Sequence, residues 1–404
     1  MNIILAAVPF FFLLIAIELL IDWRRGTGYY RLTDAITSLS LGVLSRVTEV
    51  TKKLIPFTIY YVAYEYIQVF SLTNSVFTWI FAFLVYDFFY YWLHRMSHEI
   101  NILWAAHVVH HSSEDYNLTT ALRQTSGNML GWVFFLPMAV MGVPPEIFIS
   151  VGALNLVYQF WVHTQHIDQL GWMEKVFVTP SNHRVHHAQN SRYIDCNYGG
   201  VFILWDRLFG TFRPECKDDP VIFGVRTPLN SWNPLWANLQ VYLQLLLDAW
   251  RTQSWKDKCR IWFMPTGWRP DDVVQQYPLQ KTNLTHFQKF DTASNLLTGI
   301  YGVVQHVLAI ALALWLMIQG EQFVLSETML LGSFVAFSLF ANSQILAAHK
   351  AGVWLEVFKW CALPVVLMLL DAPAMVLYSS VALSLVHLTL LAVITQRWPT
   401  ATEA

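Results

Sequence analysis

The chain has 404 residues and a formal net charge of −2, with 55% hydrophobic and only 13% charged residues. An average soluble domain carries about 25% charged residues, so this composition and a mean hydropathy of +0.41 indicate a membrane protein. A charge balance near zero argues against a nucleic-acid partner. The four cysteines are widely spaced without a C-x-x-C pair, which excludes a disulfide framework and fits a reducing compartment.

Apolar runs along the chain predict transmembrane helices, each close to the roughly 20 residues that cross a bilayer. Seven such runs lie at residues 3–22, 54–70, 75–93, 293–318, 323–346, 353–371 and 374–395. The apolar stretch 127–162 has Gly142, Pro144 and Pro145 at its middle, which predicts two more helices joined by a tight turn. Residues 34–50 are amphipathic and predict an interfacial or half-buried helix.

The segment 163–290 is polar, rich in Pro and Trp, and predicts a cap lying against the membrane. The proposed turns on one side contain no Lys or Arg, and these turns are residues 71–74, 142–146, 319–322 and 372–373. By the positive-inside rule, the opposite side, which carries the cap, is cytoplasmic. The predicted domains are 1–290, a membrane domain with this cytosolic cap, and 291–404, a module of four transmembrane helices with few polar features.

Histidines are concentrated in one part of the chain, since ten of the 14 lie between positions 94 and 187. Nine of these form groups, which are His94 and His98; His107, His110 and His111; His163; and His183, His186 and His187. Residues three or four apart share one helix face, so such a group can direct its imidazoles at one point. Adjacent histidines diverge by about 100° on a helix, so His110 and His111 can serve two different ions. We leave His166 as a weaker candidate.

Nine imidazoles are too many for one metal ion and suit two. All-nitrogen ligation fits iron, zinc, copper or nickel, but a catalytic zinc typically takes three protein ligands, so two redox-active irons explain the number best. The groups follow the cytoplasmic ends of predicted spans and continue in the cap. The sequence thus predicts an all-α, polytopic membrane protein whose cytosolic cap carries part of a histidine-rich dimetal site. A metal or proton transporter is the non-enzyme alternative, but it would place histidines near the bilayer midplane.

Carboxylates near these groups are candidates to orient metal-bound imidazoles. Asp87 lies two helical turns before His94 on the same face, and a carboxylate inside a membrane span is a functional candidate by default. Glu99 follows His98 directly. The other acids near the groups are Glu114, Asp115, Asp195 and Asp206.

The histidine motifs resemble those of the fatty acid hydroxylase or sterol desaturase superfamily. The strings His-Ser-Ser-Glu-Asp-Tyr-Asn at 111–117 and Ala-Leu-Arg-Gln at 121–124 are similar to its ether-lipid branch, the alkylglycerol monooxygenases. The resemblance covers about residues 30–230. It implies that the eight motif histidines and His163 bind iron, and that Glu99 is a glutamate required for catalysis.

Enzymes of that branch cleave the O-alkyl bond of glyceryl ethers with O2, non-haem iron and tetrahydrobiopterin. The resemblance therefore implies a lipid substrate, O2 and an electron donor or pterin-recycling system as partners. Hydroxylation next to the ether oxygen would give a fatty aldehyde and a glycerol derivative. The same metal pair would also suit hydroxylation or desaturation of a sterol, a fatty acyl chain or a carotenoid. Candidate headgroup contacts are Tyr116, Asn117 and Arg123. The expected location is the bacterial inner membrane, or the endoplasmic reticulum in a eukaryote.

Overall fold

A computed structural model describes residues 3–52, 54–127, 130–292, 295–320 and 322–396. The regular elements of these residues are helices, as predicted, with three isolated β-bridges. The α-helices are α1 (Ile3–Arg25), α2 (Leu32–Lys52), α3 (Leu54–Ile67), α4 (Val76–Glu99), α5 (Asn101–His111), α6 (Leu118–Ala121), α7 (Leu136–Val140), α8 (Pro145–Trp161), α9 (Pro180–His186), α10 (Leu204–Leu208), α11 (Pro234–Arg251), α12 (Trp255–Arg260), α13 (Asp271–Gln276), α14 (Leu296–Gln319), α15 (Leu325–Leu346), α16 (Lys350–Leu369) and α17 (Ala374–Gln396). The 3₁₀ helices are Gly131–Phe135, Gly171–Lys175, Ile261–Phe263 and Leu284–His286.

Six helices of the described residues are long and apolar enough to cross a membrane. They are Ala6–Arg25, Val76–Glu99, Leu296–Gln319, Leu325–Leu346, Lys350–Leu369 and Ala374–Thr395. The predicted span 54–70 and the predicted pair within 127–162 are helical but shorter, since α3 has 14 residues and α8 has 17. At 1.5 Å per residue α3 is about 21 Å long, less than a hydrocarbon core of about 30 Å. The apolar runs predicted helices that were too long, because each run also includes residues of the adjoining turns.

The predicted turn inside 127–162 is confirmed. Gly142 lies between α7 and α8 with a φ of +80°, a left-handed conformation that favours glycine. A Cβ at this position would lie 1.7 Å from the carbonyl oxygen of Phe70, so the backbones approach too closely for any side chain. The two halves of the apolar stretch therefore form two short helices, α7 and α8, joined by this turn.

The described chain divides into two compact units. Unit 1 comprises Met1–Arg31, Lys53–Leu229 and Asn238–Gln288. In this unit α4 packs against α5 and α8 around an apolar core, whose buried residues include Tyr60, Ala82, Phe135, Met138, Ile147 and Val151. Two polar contacts also join α4 to α8, because Asn155 donates to Asp87 and Tyr90 donates to Gln159, each at 2.7 Å. The histidine-bearing ends of α4 and α8 are thus held in one body.

Unit 2 comprises Leu32–Lys52, Asn230–Ala237 and Lys289–Ala404. The amphipathic helix predicted at 34–50 is α2, and it packs against α14 and α15. Its small polar residues Thr37, Ser38 and Ser40 are buried together with Leu41 and Leu44. This helix therefore belongs to the same compact unit as the C-terminal helices.

The C-terminal helices are less uniformly apolar in their interior than their long apolar runs predicted. Glu356 and Lys359 on α16 are both buried, and so are Gln305 on α14 and His387 on α17. Large apolar side chains such as Met375 lie on the outside, which suits a lipid environment. Buried ionisable side chains therefore lie within these long apolar helices.

Candidate metal centre

Four elements of unit 1 carry the nine predicted histidines. The last turns of α4 carry His94 and His98, and α5 carries the three histidines from 107 to 111. His163 follows the end of α8, while α9 and its C-cap carry the three from 183 to 187. Ile100 separates α4 from α5 in an extended conformation, which allows the two helices to fold against each other. All nine imidazoles meet in two neighbouring groups.

The first group contains the five histidines His94, His98, His107, His111 and His186, whose ligand nitrogens all lie within 4.8 Å of one another. The Nε2 atom of His107 is 3.0 Å from Nε2 of His94 and 3.1 Å from Nε2 of His111. The Nε2 atoms of His98 and His111 are 3.2 Å apart. This group offers five nitrogen ligands to one ion.

The second group contains His110, His163, His183 and His187, again with ligand nitrogens within 4.8 Å of one another. The Nε2 atom of His163 lies 3.3 Å from that of His110 and 3.1 Å from that of His183. The sequence neighbours His110 and His111 enter different groups, as the helical angle between them predicted. The structure therefore provides two adjacent places for metal.

Hydrogen bonds to backbone carbonyls leave ring nitrogens free to bind a metal ion. His110 donates from Nδ1 to the carbonyl of Arg123 at 3.1 Å, and His163 donates from Nδ1 to the carbonyl of Gln159 at 2.7 Å. A carbonyl only accepts, so both Nδ1 atoms carry the proton, and in a neutral ring both Nε2 atoms are then bare. Two bare lone pairs facing each other at 3.3 Å repel unless a metal ion lies between them. The donor set and its tautomers thus fit a bound metal.

Burial favours the neutral form of several of these rings. Burial lowers the pKa of His107, His111, His183 and His187 well below the usual value, and nearby histidines lower it further. Burial likewise lowers the pKa of His110 to about 4. Neutral imidazole is the form that ligates metal, so the site is ready to bind metal at neutral pH.

One loop orients rings of the first group. His94 donates from Nδ1 to the carbonyl of Tyr198 at 2.7 Å, and His186 donates to the carbonyl of Cys196 at 3.0 Å. Asp206 accepts from the backbone N–H groups of Tyr198 and Gly199 at 2.7 and 2.8 Å. This carboxylate therefore acts on the metal centre indirectly, by holding the carbonyls that orient the imidazoles.

Asp87 was a candidate catalytic residue that would orient His94; its catalytic role stays a prediction, and its hydrogen-bond partners lie elsewhere. Within the described residues it accepts from Asn155, from Trp205 and from the backbone N–H groups of Val201 and Phe202, at 2.7 to 3.0 Å. The predicted imidazole partner, His94, instead uses the Tyr198 carbonyl. Four donors already occupy the carboxylate of Asp87, so its contact with the metal centre is through the loop that follows Tyr198.

The other acids differ in their distance from the rings. Glu99 forms an i,i+4 ion pair with Arg95 at 2.8 Å and is part-exposed, so its catalytic role stays a prediction. Asp195 lies 3.6 Å from Nδ1 of His98. Asp115 pairs with Arg31 at 2.8 Å. Asp195 is thus the acid of these three that faces a ring of the centre.

The predicted headgroup contacts are fully buried and bond to the protein itself. Tyr116 donates to the carbonyl of Val162, Asn117 caps α6, and Arg123 donates to the carbonyl of Val109. Tyr116 also stacks on His163 with ring centroids 5.5 Å apart. These contacts support the walls of the metal centre, and contact with a lipid headgroup stays a prediction.

Two sets of groups that support the metal centre were not predicted from the sequence: two loop carbonyls and the carboxylate of Glu18. The backbone carbonyls of Tyr198 and Cys196 carry no side-chain signal, and the turn-forming residues Asn197, Gly199 and Gly200 are the local signal for a loop there. Glu18 lies in the first apolar run, where a carboxylate is itself a signal. It accepts from Thr164, next to His163, at 2.5 Å and from the backbone N–H of Leu118 at 2.8 Å. The first helix is therefore more than an anchor, because Glu18 connects it to the surroundings of His163.

Comparison with known proteins agrees with this geometry. The family described as "Fatty acid hydroxylase" matches residues 79–211. The chain is 41% identical to alkylglycerol monooxygenase from Homo sapiens over 76% of this chain and 69% of that protein. It is 35% identical to alkylglycerol monooxygenase from Danio rerio over 87% of this chain and 79% of that protein.

A more distant relative acts on another lipid. The chain is 28% identical to an ornithine lipid hydroxylase from Rhizobium tropici over 33% of this chain and 43% of that protein. No solved structure matches the chain significantly. The long matches, together with the histidine groups, identify the chain as an enzyme and set aside the transporter alternative. The chain therefore belongs to the fatty acid hydroxylase family of membrane oxidoreductases and is similar to its alkylglycerol monooxygenases over most of its length.

Proposed function

We propose that this chain is an O2-dependent monooxygenase that hydroxylates the carbon next to the ether oxygen of alkylglycerol lipids. One oxygen atom of O2 enters that C–H bond, and the other leaves as water with two electrons and two protons from an external donor. The resulting hemiacetal breaks its C–O bond to give a fatty aldehyde and a glycerol derivative. The observation that carries the proposal is the 41% identity to an alkylglycerol monooxygenase over 76% of the chain.

The donor set supports iron as the metal of this proposal. Nine imidazoles in groups of five and four suit two irons better than one catalytic zinc with its usual three protein ligands. Two bound irons would supply the redox chemistry that activates O2. The protein supplies burial, which keeps bulk water away, and fixed ring orientations through backbone carbonyls. We further propose tetrahydrobiopterin as the electron donor, by likeness to the ether-lipid branch.

The direct test is turnover of 1-O-hexadecylglycerol by iron-loaded protein in lipid nanodiscs, with O2 and tetrahydrobiopterin. We expect hexadecanal, detected by mass spectrometry, and its loss when O2 or reductant is omitted. His183→Ala, which removes a ligand of the second group, should abolish the product, whereas His166→Ala, outside both groups, should retain it. A sterol, a fatty acyl lipid, a carotenoid and an ornithine lipid are tested in parallel. Oxidation of one of these without any hexadecanal, across several reductants, would overturn the ether-lipid assignment.

The location of the metal centre is a separate proposal. We propose that it lies at the cytoplasmic face, since the proposed turns on the opposite side contain no Lys or Arg. Cys259 is exposed on α12, which belongs to the same unit as the histidines. A membrane-impermeant maleimide should label Cys259 in inside-out vesicles and not in intact cells, with Cys259→Ser as the control. Labelling of Cys259 in intact cells would show the opposite orientation.

A further inference from the structure

A buried ion pair lies inside unit 2, whereas the histidine groups belong to unit 1. The Nζ atom of Lys359 is 2.5 Å from Oε2 of Glu356, and both residues lie on α16, which is long and apolar enough to span a membrane. Lys359 is 5% exposed and Glu356 is not exposed at all. Ionisable residues inside membrane helices are costly and usually mark a functional site. The proposed oxidation chemistry does not use this pair.

Hydrogen bonds around the pair leave one donor without an acceptor. Tyr301 donates to Glu356 at 2.7 Å, and Lys359 donates to Oε1 of Gln305 at 2.7 Å. An ammonium group only donates, so the orientation of the Gln305 amide is determined and its NH2 group points away from Lys359. Among the described residues this Nε2 has no partner, although Gln305 is only 3% exposed. A buried amide donor without an acceptor is unfavourable. An oxygen atom of a ligand can accept this hydrogen bond from Nε2 of Gln305.

A cavity of about 510 Å³ lies at this amide. Gln305 and Lys359 line it together with apolar side chains of α14 to α17, among them Leu308, Leu312, Trp315, Leu363, Leu367 and Leu383. Sites for small molecules typically measure about 300–1,000 Å³ and combine apolar walls with a few polar groups. The cavity thus has the size and the chemistry of a site for an amphipathic molecule.

We propose that unit 2 binds a lipid whose polar end is uncharged and carries an acceptor oxygen, as in an alcohol or a carbonyl. The oxygen accepts from Nε2 of Gln305, and the hydrocarbon body lies against the leucine-rich wall. The end is uncharged because Glu356 already neutralises Lys359, so a carboxylate would add an unbalanced charge inside the membrane. This site goes beyond the proposed oxidation, because all its residues belong to unit 2 and the histidine groups belong to unit 1.

The test uses a photoreactive lipid with full-length protein in nanodiscs. The probe is hexadecanol carrying a diazirine and a terminal alkyne, and the matched hydrocarbon without the hydroxyl is the comparison. Labelled peptides, found by mass spectrometry, should come from α14, α16 and α17, and unlabelled hexadecanol should compete. Gln305→Leu should lower labelling by the alcohol probe about five- to tenfold, the effect of one lost hydrogen bond, with little change for the hydrocarbon.

Matched control variants show whether the loss of labelling is specific to the amide of Gln305. Gln319→Leu, on the same helix but outside the cavity, should label as wild type does. If Gln305→Leu fails to fold, Gln305→Met keeps the length of the side chain but removes the donor, so it should show the same loss. Chelation of metal from unit 1 should leave labelling unchanged, which separates this site from the oxidation chemistry. Equal labelling of wild type and both Gln305 variants, or labelling confined to other helices, would overturn the proposal.

Discussion

Single ring nitrogens decide how this protein can hold two ions. Where Nδ1 donates to a backbone carbonyl, as in His94, His110, His163 and His186, Nε2 is left free to ligate. Neighbours in sequence, such as His110 and His111, then face different groups because a helix turns about 100° per residue. Loss of one ring should therefore weaken one group more than the other.

His163→Ala is expected to remove one of the four ligands of the second group. Bound metal should fall from about two ions per chain towards one, and turnover should fall at least about 100-fold, since even loss of an outer partner costs 10- to 100-fold. His166→Ala is the matched control, because His166 lies three residues away and belongs to neither group. The measurements are elemental analysis and product formation. Equal metal loss in both variants would contradict the assignment of His163.

Asp206 gives a prediction about pH. Burial raises its pKa to about 6, above the value near 3.9 of an unfolded aspartate. Between about pH 4 and pH 6 the unfolded chain therefore loses this proton before the native protein does, so stability from this group falls as pH rises. The slope is at most about 1.4 kcal/mol per pH unit. Asp206→Asn should remove this pH dependence of the stability. The difference in melting temperature between the variant and wild type should therefore change with pH. A constant difference across this pH range would contradict the raised pKa.

At the scale of secondary-structure elements, the ends of helices position the histidines of the metal centre. The histidines lie at the C-terminal ends of α4, α5 and α9 and just beyond α8. The paths of these helices therefore decide whether the rings meet. For α8, the path depends on the turn at Gly142, where the chain passes close to the carbonyl of Phe70.

Gly142→Ala should destabilise the protein more than Gly28→Ala does. Both glycines have positive φ, at +80° and +67°, so either change incurs the cost of about 1–2 kcal/mol for a left-handed residue. Only Gly142 has a neighbour within 1.7 Å of the new Cβ, whereas no atom lies within 4 Å at Gly28. We expect a further loss of ~1–3 kcal/mol for Gly142→Ala, read from melting temperatures. Equal melting temperatures of the two variants would contradict this close approach.

At the scale of the whole molecule, the two units differ in their content of candidate metal ligands. All nine histidines belong to unit 1, and unit 2 is built around α2 and the C-terminal helices. A ligand that binds only the folded state stabilises the part that it binds. Metal removal should therefore affect the two units unequally.

Chelation should lower the melting temperature and raise amide hydrogen exchange in α5 and α9, which carry ligands. Exchange in α15, inside unit 2, should change little. The measurement is hydrogen–deuterium exchange with mass spectrometry on holo and chelated protein, and re-addition of iron should restore the original pattern. Uniform loss of protection in both units would show that metal supports the whole chain and not unit 1 alone.

Much of the centre was predictable because helical spacing is a local property. His94 and His98, or His183 and His187, share a helix face whatever the rest of the chain does. Asp87 shows the limit of this reasoning. Its position on the face of His94 was correct for a helix, but its hydrogen-bond partners lie in a distant loop that no local pattern reveals.

The amino-acid sequence by itself determined that this protein lies in a membrane and that its histidines bind metal, because apolar run length and periodic spacing are read within a few helical turns. The tertiary structure alone decided which rings converge in each group, which carbonyls orient them, and that Lys359 and Gln305 line a cavity in unit 2. These features join residues far apart in the chain, so they arise only when the helices pack.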